Sequence, residues 1–317
     1  MQYRDRRLLI SEFVQSVLAP AGAPAAAIHS LWQLMLWTTA IVFALVMVFL
    51  VLAIVRRHSS SPQSLTRGVT TAVTITVFVL VGLLVASVVT DRTVTAHASN
   101  AVTVDVSGHQ WWWEVEYEHS VPAERFVTAN EIHVPVGRPV VLKAQSRDVI
   151  HSFWAPNLQG KRDLIPGYVT AIWIQADRPG VFRGQCAEFC GKQHAHMAFD
   201  VIAQPEAEFE QWRAHMRENA QEPQSDEERR GRDIFMRDRC SSCHTIRGTE
   251  AGGLVGPDLT HIAARQTIAA GTLPNTPGHL GDWIRDSQSI KPYNQMPPAS
   301  YSRDDLDALV AYLASLR

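Results

Sequence analysis

At 317 residues the chain is long enough for two or three domains, and its formal net charge of −2 leaves no electrostatic footprint for nucleic acid. The mean hydropathy of −0.06 is that of a soluble protein, but it averages over a split. Residues 31–90 hold nearly all the long apolar runs, and the remainder is polar and mixed.

Residues 1–30 read as an irregular lead-in that ends in Pro20–Pro24 and offers no cysteine for a lipid anchor. A transmembrane hairpin follows over 31–90, with uncharged spans at Leu31–Val55 and Val69–Thr90. Each exceeds the roughly 20 residues that cross a bilayer as a helix. The first run starts too late and is too long for a cleaved signal peptide, and uncharged runs of this length are rarely soluble core. Arg56, Arg57, His58 and Arg67 place the intervening loop in the cytoplasm by the positive-inside tendency. Arg4, Arg6 and Arg7 weigh equally for the opposite orientation. A haem motif further along the chain breaks the tie, because covalent haem attachment happens outside the cytoplasm. Both termini are therefore expected on the outer face.

From 91 to 204 the pattern turns to period-two alternation. Val102–Val106, Trp111–Tyr117, Ile132–Val136, Val140–Ala144 and Tyr168–Gln175 read as strands, broken by Gly137–Pro139, Pro166-Gly167 and Arg178–Gly180. Many short strands with such turns predict a β-sandwich or Greek-key barrel. Near its end stand Cys186, Cys190, His194 and Met197, with His151 as a distal candidate and Gly191 permitting a tight loop. Thiolate, imidazole and thioether together favour copper over the hard cations. Zinc competes for Cys and His, but seldom takes Met. Two neighbouring thiolates can bridge a pair of copper ions; a Cys186–Cys190 disulfide is the alternative for the metal-free chain. Among the three tryptophans, strand alternation puts Trp111 and Trp113 on one face and Trp112 on the other, with at least one side in the core.

Residues 205–226 are polar, helical in flavour and read as a linker, and 227–317 form a second, helical domain. Its Cys240-Ser-Ser-Cys243-His244 is the attachment pattern of a c-type haem, with two thioethers and a proximal histidine. The adjacent histidine and the lack of a second Cys pair set aside a zinc site or redox disulfide. Met296 is the candidate sixth ligand; Met236 is its rival, too near His244 in sequence to reach the opposite haem face. His/Met ligation leaves no open position for a substrate. Ser302 reads as the N-cap of a closing helix whose Leu306, Leu309, Val310 and Leu313 share a face. All four cysteines are used by the two motifs.

Gly108–Trp113, Asp148–Trp154 and Cys186–Met197, preceded by a two-span anchor, resemble cytochrome c oxidase subunit II over most of residues 30–205. The features from Glu227 onward, with Gly256–Leu259 between the haem motif and Met296, are similar to a class I cytochrome c. The resemblance implies a multi-domain membrane protein: a two-helix hairpin, a cupredoxin-like Greek-key β-barrel or sandwich, and an all-α class I cytochrome c domain. It further implies a binuclear copper A site held by the side chains of His151, Cys186, Cys190, His194 and Met197 and by the backbone carbonyl of Glu188. The Glu188 carboxylate would reach a magnesium ion shared with subunit I. Trp111 would lie near the surface over the copper and accept electrons from the donor, and His196 is a bystander. Haem c would be held by Cys240, Cys243, His244 and Met296.

The implied protein is the electron-input subunit of a respiratory haem–copper oxidase of the caa type in a bacterial plasma membrane. Its partners would be subunits I and III, membrane lipid, and cytochrome c or another upstream donor. Oxygen reduction needs subunit I, since nothing in this chain binds dioxygen. A copper A-containing nitric oxide reductase subunit is the alternative acceptor complex. A copper-delivery protein would need neither His194, Met197 nor a haem. One departure from the family is that Ser64–Thr71 and both spans lack any carboxylate, so no proton-path acid is visible.

Overall fold

The computed structural model of the chain describes residues 15–56, 61–95 and 100–317. Arg4, Arg6, Arg7, Arg57 and His58, which enter the charge argument for orientation, lie outside the described residues. Two helices come first, α1 (Ala23–Arg56) and α2 (Pro62–Thr95), and they pack side by side. Each runs past the ends of its uncharged run, because nothing in the flanking sequence breaks the helix there. Their apolar side chains face outward, with Phe43 and Phe49 66% and 67% exposed. Both helices are long and apolar enough to cross a membrane, and a bilayer is the solvent such surfaces require.

The hairpin is pinned to the next domain at both ends. Ahead of α1, the Ala21 amide donates to the Asn157 carbonyl at 2.7 Å, and the Asp177 amide donates to the Ala21 carbonyl at 2.9 Å. The Asn157 side-chain amide donates to the Ala19 carbonyl at 2.7 Å. Beyond the apolar part of α2, Trp173 Nε1 donates to the Val94 carbonyl at 2.7 Å.

The β domain is a two-sheet sandwich. Its strands are β1 (Val102–His109), β2 (Trp112–Tyr117), β3 (Phe126–Ala129), β4 (Glu131–Pro135), β5 (Val140–Ser146), β6 (His151–Trp154), β7 (Arg162–Leu164), β8 (Thr170–Ile174), β9 (Gly180–Cys186) and β10 (Ala198–Gln204). One sheet has the order β3-β2-β1-β5-β8 and the other β4-β10-β9-β6-β7. The parallel pairings β1–β5 and β4–β10 interrupt otherwise antiparallel ladders, as crossovers between two sheets demand. Val104, Val106, Trp113, Val115, Tyr117 and Leu142 of the first sheet meet Ile132, Val134, Phe153, Phe199 and Val201 of the second. Trp111 precedes β2 instead of opening it, and lies in the turn after β1.

Within residues 205–226 stands a helix, α3 (Glu206–Met216), laid against the sandwich. Phe209 is fully buried, and the Trp212 ring stacks on His133 at 3.9 Å. Phe209, Trp212 and Met216 recur at helical spacing, a stripe that the surrounding charges obscure. The last domain comprises α4 (Asp226–Arg237), α5 (Cys240–Cys243), the two-residue strands β11 (Thr267–Ile268) and β12 (Leu273–Pro274), α6 (Pro277–Arg285), α7 (Ser287–Ile290) and α8 (Arg303–Ser315). Helices α4 and α8 make its main packing contact, and a capping box between Ser225 and Glu228 starts α4. Ser302 caps α8 by accepting from the Asp305 amide at 3.1 Å, and Leu306, Leu309 and Leu313 are buried on its inner face.

Candidate metal and haem centres

Strand pairing assembles the first centre. Cys186 ends β9 opposite Phe153 of the neighbouring β6, whose first residue is His151. Cys190, His194 and Met197 follow in the loop to β10, and the Cys186 amide closes that loop by donating to the Met197 carbonyl at 2.9 Å. The two thiol sulfurs are 3.7 Å apart. His151 Nδ1 is 3.9 Å from the Cys186 sulfur, and the Glu188 carbonyl is 3.2 Å from it. His194 Nδ1 and the Met197 sulfur lie 3.6 and 3.8 Å from Cys190.

These spacings are too long for a disulfide, whose sulfurs sit about 2.05 Å apart. They are those of ligands around a shared centre, each reaching a metal about 2.0–2.3 Å away. His151, Cys186, Cys190 and Met197 are buried. Hydrogen bonds from Cys190 and from His151 draw the Cys186 thiol down to about 3. The same pairing with Cys186, together with burial, pushes the Cys190 thiol up. Two adjacent thiols that cannot both ionise alone are matched by a cation between them. The donor set therefore fits a copper pair.

His151 is held by a residue that carries no obvious sequence signal for the role. Its Nε2 lies 2.7 Å from Asp148 Oδ1, which leaves Nδ1 toward Cys186. Asp148 is itself fixed, accepting from the Gln110 amide at 2.6 Å and the Val149 amide at 2.6 Å. Burial disfavours a charged His151 ring, but its bonds to Cys186 and Asp148 outweigh that and raise its pKa. Gly108 lies flat on this ring; a Cβ there would come within 2.7 Å of His151 Cδ2.

Trp111 is placed differently from the surface position that the resemblance implied. It is only 8% exposed, and its Nε1 donates to the Cys190 carbonyl at 2.9 Å. The ring belongs to the sandwich core, and the helical domain reaches its backbone, where Lys291 Nζ donates to the Trp111 carbonyl at 2.7 Å. Gln110 Nε2 reaches the same Cys190 carbonyl at 2.8 Å. The Glu188 side chain is exposed, and the exposed His196 ring sits 2.8 Å from Gln193 Oε1.

The second centre forms around α5. One helical turn brings Cys240 and Cys243, both free thiols, to one side. His244 follows, with its amide donating to the Cys240 carbonyl at 2.9 Å. The His244 Nδ1 lies 2.8 Å from the Pro257 carbonyl, which can only accept. Nδ1 therefore carries the proton, and Nε2 keeps the lone pair a metal takes. Burial lowers the His244 pKa and favours that neutral ring. Gly256 crosses against it; a Cβ there would sit 2.5 Å from Cε1.

Met296 belongs to a loop held at its backbone. Its amide donates to Asn294 Oδ1 at 2.8 Å, and its carbonyl accepts from Ser287 Oγ at 2.6 Å. Its side chain packs on the domain core together with Leu259, Trp283 and Tyr301, while Met236 also lies partly buried there. Leu254 and Val255 leave apolar surface open beside the cysteines, at 81% and 57% exposure. Two thiols, a neutral imidazole, a thioether and half-covered apolar side chains fit a covalently attached haem.

Fold and donor sets define a membrane-anchored, cupredoxin-like domain joined to a class I cytochrome c domain. Comparison with known families agrees: residues 122–204 match the family "Cytochrome C oxidase subunit II, periplasmic domain", and residues 228–317 match "Cytochrome c". The chain thus unites a subunit II periplasmic domain with a fused cytochrome c. A cytochrome c oxidase subunit 2 of Alkalihalophilus pseudofirmus is 42% identical over 219 residues, covering 69% of this chain and 62% of that protein. The corresponding subunit of Bacillus sp. strain PS3 is 34% identical over 231 residues, covering 69% and 63%. The chain spans just under two thirds of these relatives' length. Among solved structures, the periplasmic domain of subunit II of cytochrome oxidase of Bradyrhizobium japonicum is 30% identical. The match covers 38% of this chain and 95% of that one, with a TM-score of 0.35.

Proposed function

We propose that this chain is the electron-input subunit of a haem–copper cytochrome c oxidase in a bacterial plasma membrane, with both folded domains on the outer face. The observation that carries the reading is the His151–Cys186–Cys190–His194–Met197 cluster, buried at all but His194 and contacted by the haem-binding domain of the same chain. When bound, haem and the copper pair supply one-electron chemistry, from haem c to copper and on to subunit I, where oxygen is reduced to water.

The residues of this chain perform the remaining tasks. His244 and Met296 would hold the haem iron between them, which would leave no open position for a substrate. Asp148 orients His151, and the loop closed at Cys186–Met197 fixes the thiolates, which keeps ligand movement small during electron transfer. Glu188 would contribute its carbonyl to the copper pair, and its exposed carboxylate would be available for a magnesium ion shared with subunit I. Fusion of the haem domain replaces a diffusional encounter by a tethered one.

The test is to purify the chain with its native membrane partners and record optical and electron paramagnetic resonance spectra before and after reduction. A c-type haem band, a copper signal with one electron shared over two ions, and a co-purified a- or b-type haem are expected. Consumption of oxygen, and not of nitric oxide, identifies the acceptor. A single isolated copper, or zinc in its place, would overturn the reading.

A further inference from the structure

Lys291 follows α7 in the haem-binding domain and is 2% exposed. Its ammonium has no carboxylate partner among the described residues. Instead it donates to three backbone carbonyls: Trp111 at 2.7 Å, His196 at 2.7 Å and Ala269 at 3.1 Å. The first two belong to the copper-binding domain, and only the third to its own. Three donors meet three acceptors, which is how a buried ammonium without a counter-ion is accommodated.

The rest of the contact has the same character. Ala269, Ala270 and Gly271 run consecutively in the left-handed region, at φ 54°, 58° and 72°. Alanine rarely adopts that region, and residues held there cluster where surrounding structure fixes them. All three carbonyls of this turn are used at the contact. Ala269 accepts from Lys291, Ala270 accepts from the Ala198 amide at 3.1 Å, and Gly271 accepts from the Arg183 guanidinium at 3.2 Å. At the edge of the contact the Gln266 amide donates to Glu131 Oε1 at 2.6 Å. The Lys192 ammonium lies over the Tyr293 ring at 3.4 Å.

We propose that Lys291 is the positioning residue that holds the haem domain on the copper domain, making Trp111 an internal bridge between the two centres that outside donors cannot reach. The inference rests on the electron-input reading above. Lys291 exchanges no electron itself. It fixes the separation across which one electron leaves ferrous haem and reduces the oxidised copper pair. An outside donor must then deliver its electron to the haem domain and never directly to Trp111.

The chain has four lysines, which permits a test on the unaltered, cofactor-loaded protein. Under brief acylation followed by mass spectrometry, Lys143, Lys161 and Lys192 are expected to react at least 100-fold faster than Lys291. Equal rates would overturn the docked arrangement.

In the full chain carrying Lys291→Met, amide hydrogen exchange over residues 266–275 is expected to rise at least tenfold. Electron transfer from photoreduced haem to copper is expected to slow at least tenfold, with both cofactor spectra and potentials unchanged. Unaltered exchange and an unaltered rate would refute the role of Lys291. Failure of the electron-input reading looks different: the unaltered chain would lack the haem or shared-electron copper signal, while acylation and exchange would still report whether Lys291 holds the domains together.

Discussion

The two cofactor-binding domains solve the same problem from opposite directions. In the copper domain, His151, Cys186, Cys190 and Met197 are at most 2% exposed, and they sit at the rim of a sandwich whose core is already filled by Trp113, Phe153 and Phe199. In the haem domain, Cys240 and Cys243 are half-buried on a four-residue helix, and Leu254 beside them is 81% exposed. Cys186, Cys190 and Met197 form the rim end of the sandwich core, which Trp113, Phe153 and Phe199 fill without any metal. In the haem domain Cys240 and Met296 only pack against a smaller helical core, whose open side the macrocycle would cover. The first domain should therefore survive loss of its cofactor, and the second should not.

The largest expected effect is in the haem domain. Replacing Cys240 and Cys243 by Ala should abolish covalent haem and remove the α4–α8 helical signal from circular dichroism, with the copper spectrum preserved. Retained helicity would break the comparison. Cys186→Ser should remove the shared-electron copper signal entirely, yet leave the sheet signal in far-ultraviolet spectra unchanged; unfolding of the sandwich would show that its core depends on the metal after all.

Asp200 sharpens the picture of that core. It is 1% exposed, and burial together with the neighbouring Glu131 raises its pKa from 3.8 to about 6. A raised carboxyl favours the folded state most when protonated. Its cost is absent below pH 3.8, grows as pH rises toward 6, and is constant above. Asp200→Asn should therefore stabilise the copper domain by up to about 3 kcal/mol above pH 6. The gain should vanish near pH 4 in denaturant titrations; a pH-independent gain would contradict the assignment. The smallest effect concerns Asp148→Asn, which weakens the hold on His151. Copper affinity should fall by roughly 10–100-fold with the fold intact, as removal of such supporting hydrogen bonds does elsewhere. Competition with a chelator measures it.

The chemistry of both centres was legible because each is local. Cys186 to Met197 and Cys240 to His244 are short stretches whose residue types state their ligand character. The spans were legible from missing charge alone, although α1 and α2 extend beyond the apolar runs. Strands β1, β2, β4, β5 and β8 announced themselves by alternation. The short strands β3, β6 and β7 and the glycine-bounded β9 did not, and β10 is buried on both faces, which erases the period. Helix α3 was hidden inside a polar stretch because only Phe209, Trp212 and Met216 face the sandwich. Two parts of the site were not assigned. Asp148 opens the Asp148–Trp154 stretch that carried the resemblance, but nothing in the residue types tied its carboxylate to His151. Lys291 meets carbonyls 95 and 180 residues away, and backbone groups leave no trace in residue identity. Trp111 could be read as exposed because the turn that carries it folds back into the sandwich core, which strand alternation does not reveal.

The pinning of residues 19–21 to Asn157 and Asp177 has a consequence for biogenesis. The segment ahead of α1 is translated before either membrane helix, but its hydrogen-bonding partners emerge only after both. These bonds can therefore form only once more than half of the following β domain has been made. Closure of the sandwich over Ala21 thereby ties the start of the hairpin to the domain that follows its end, so the two ends of the helix pair are held on one side.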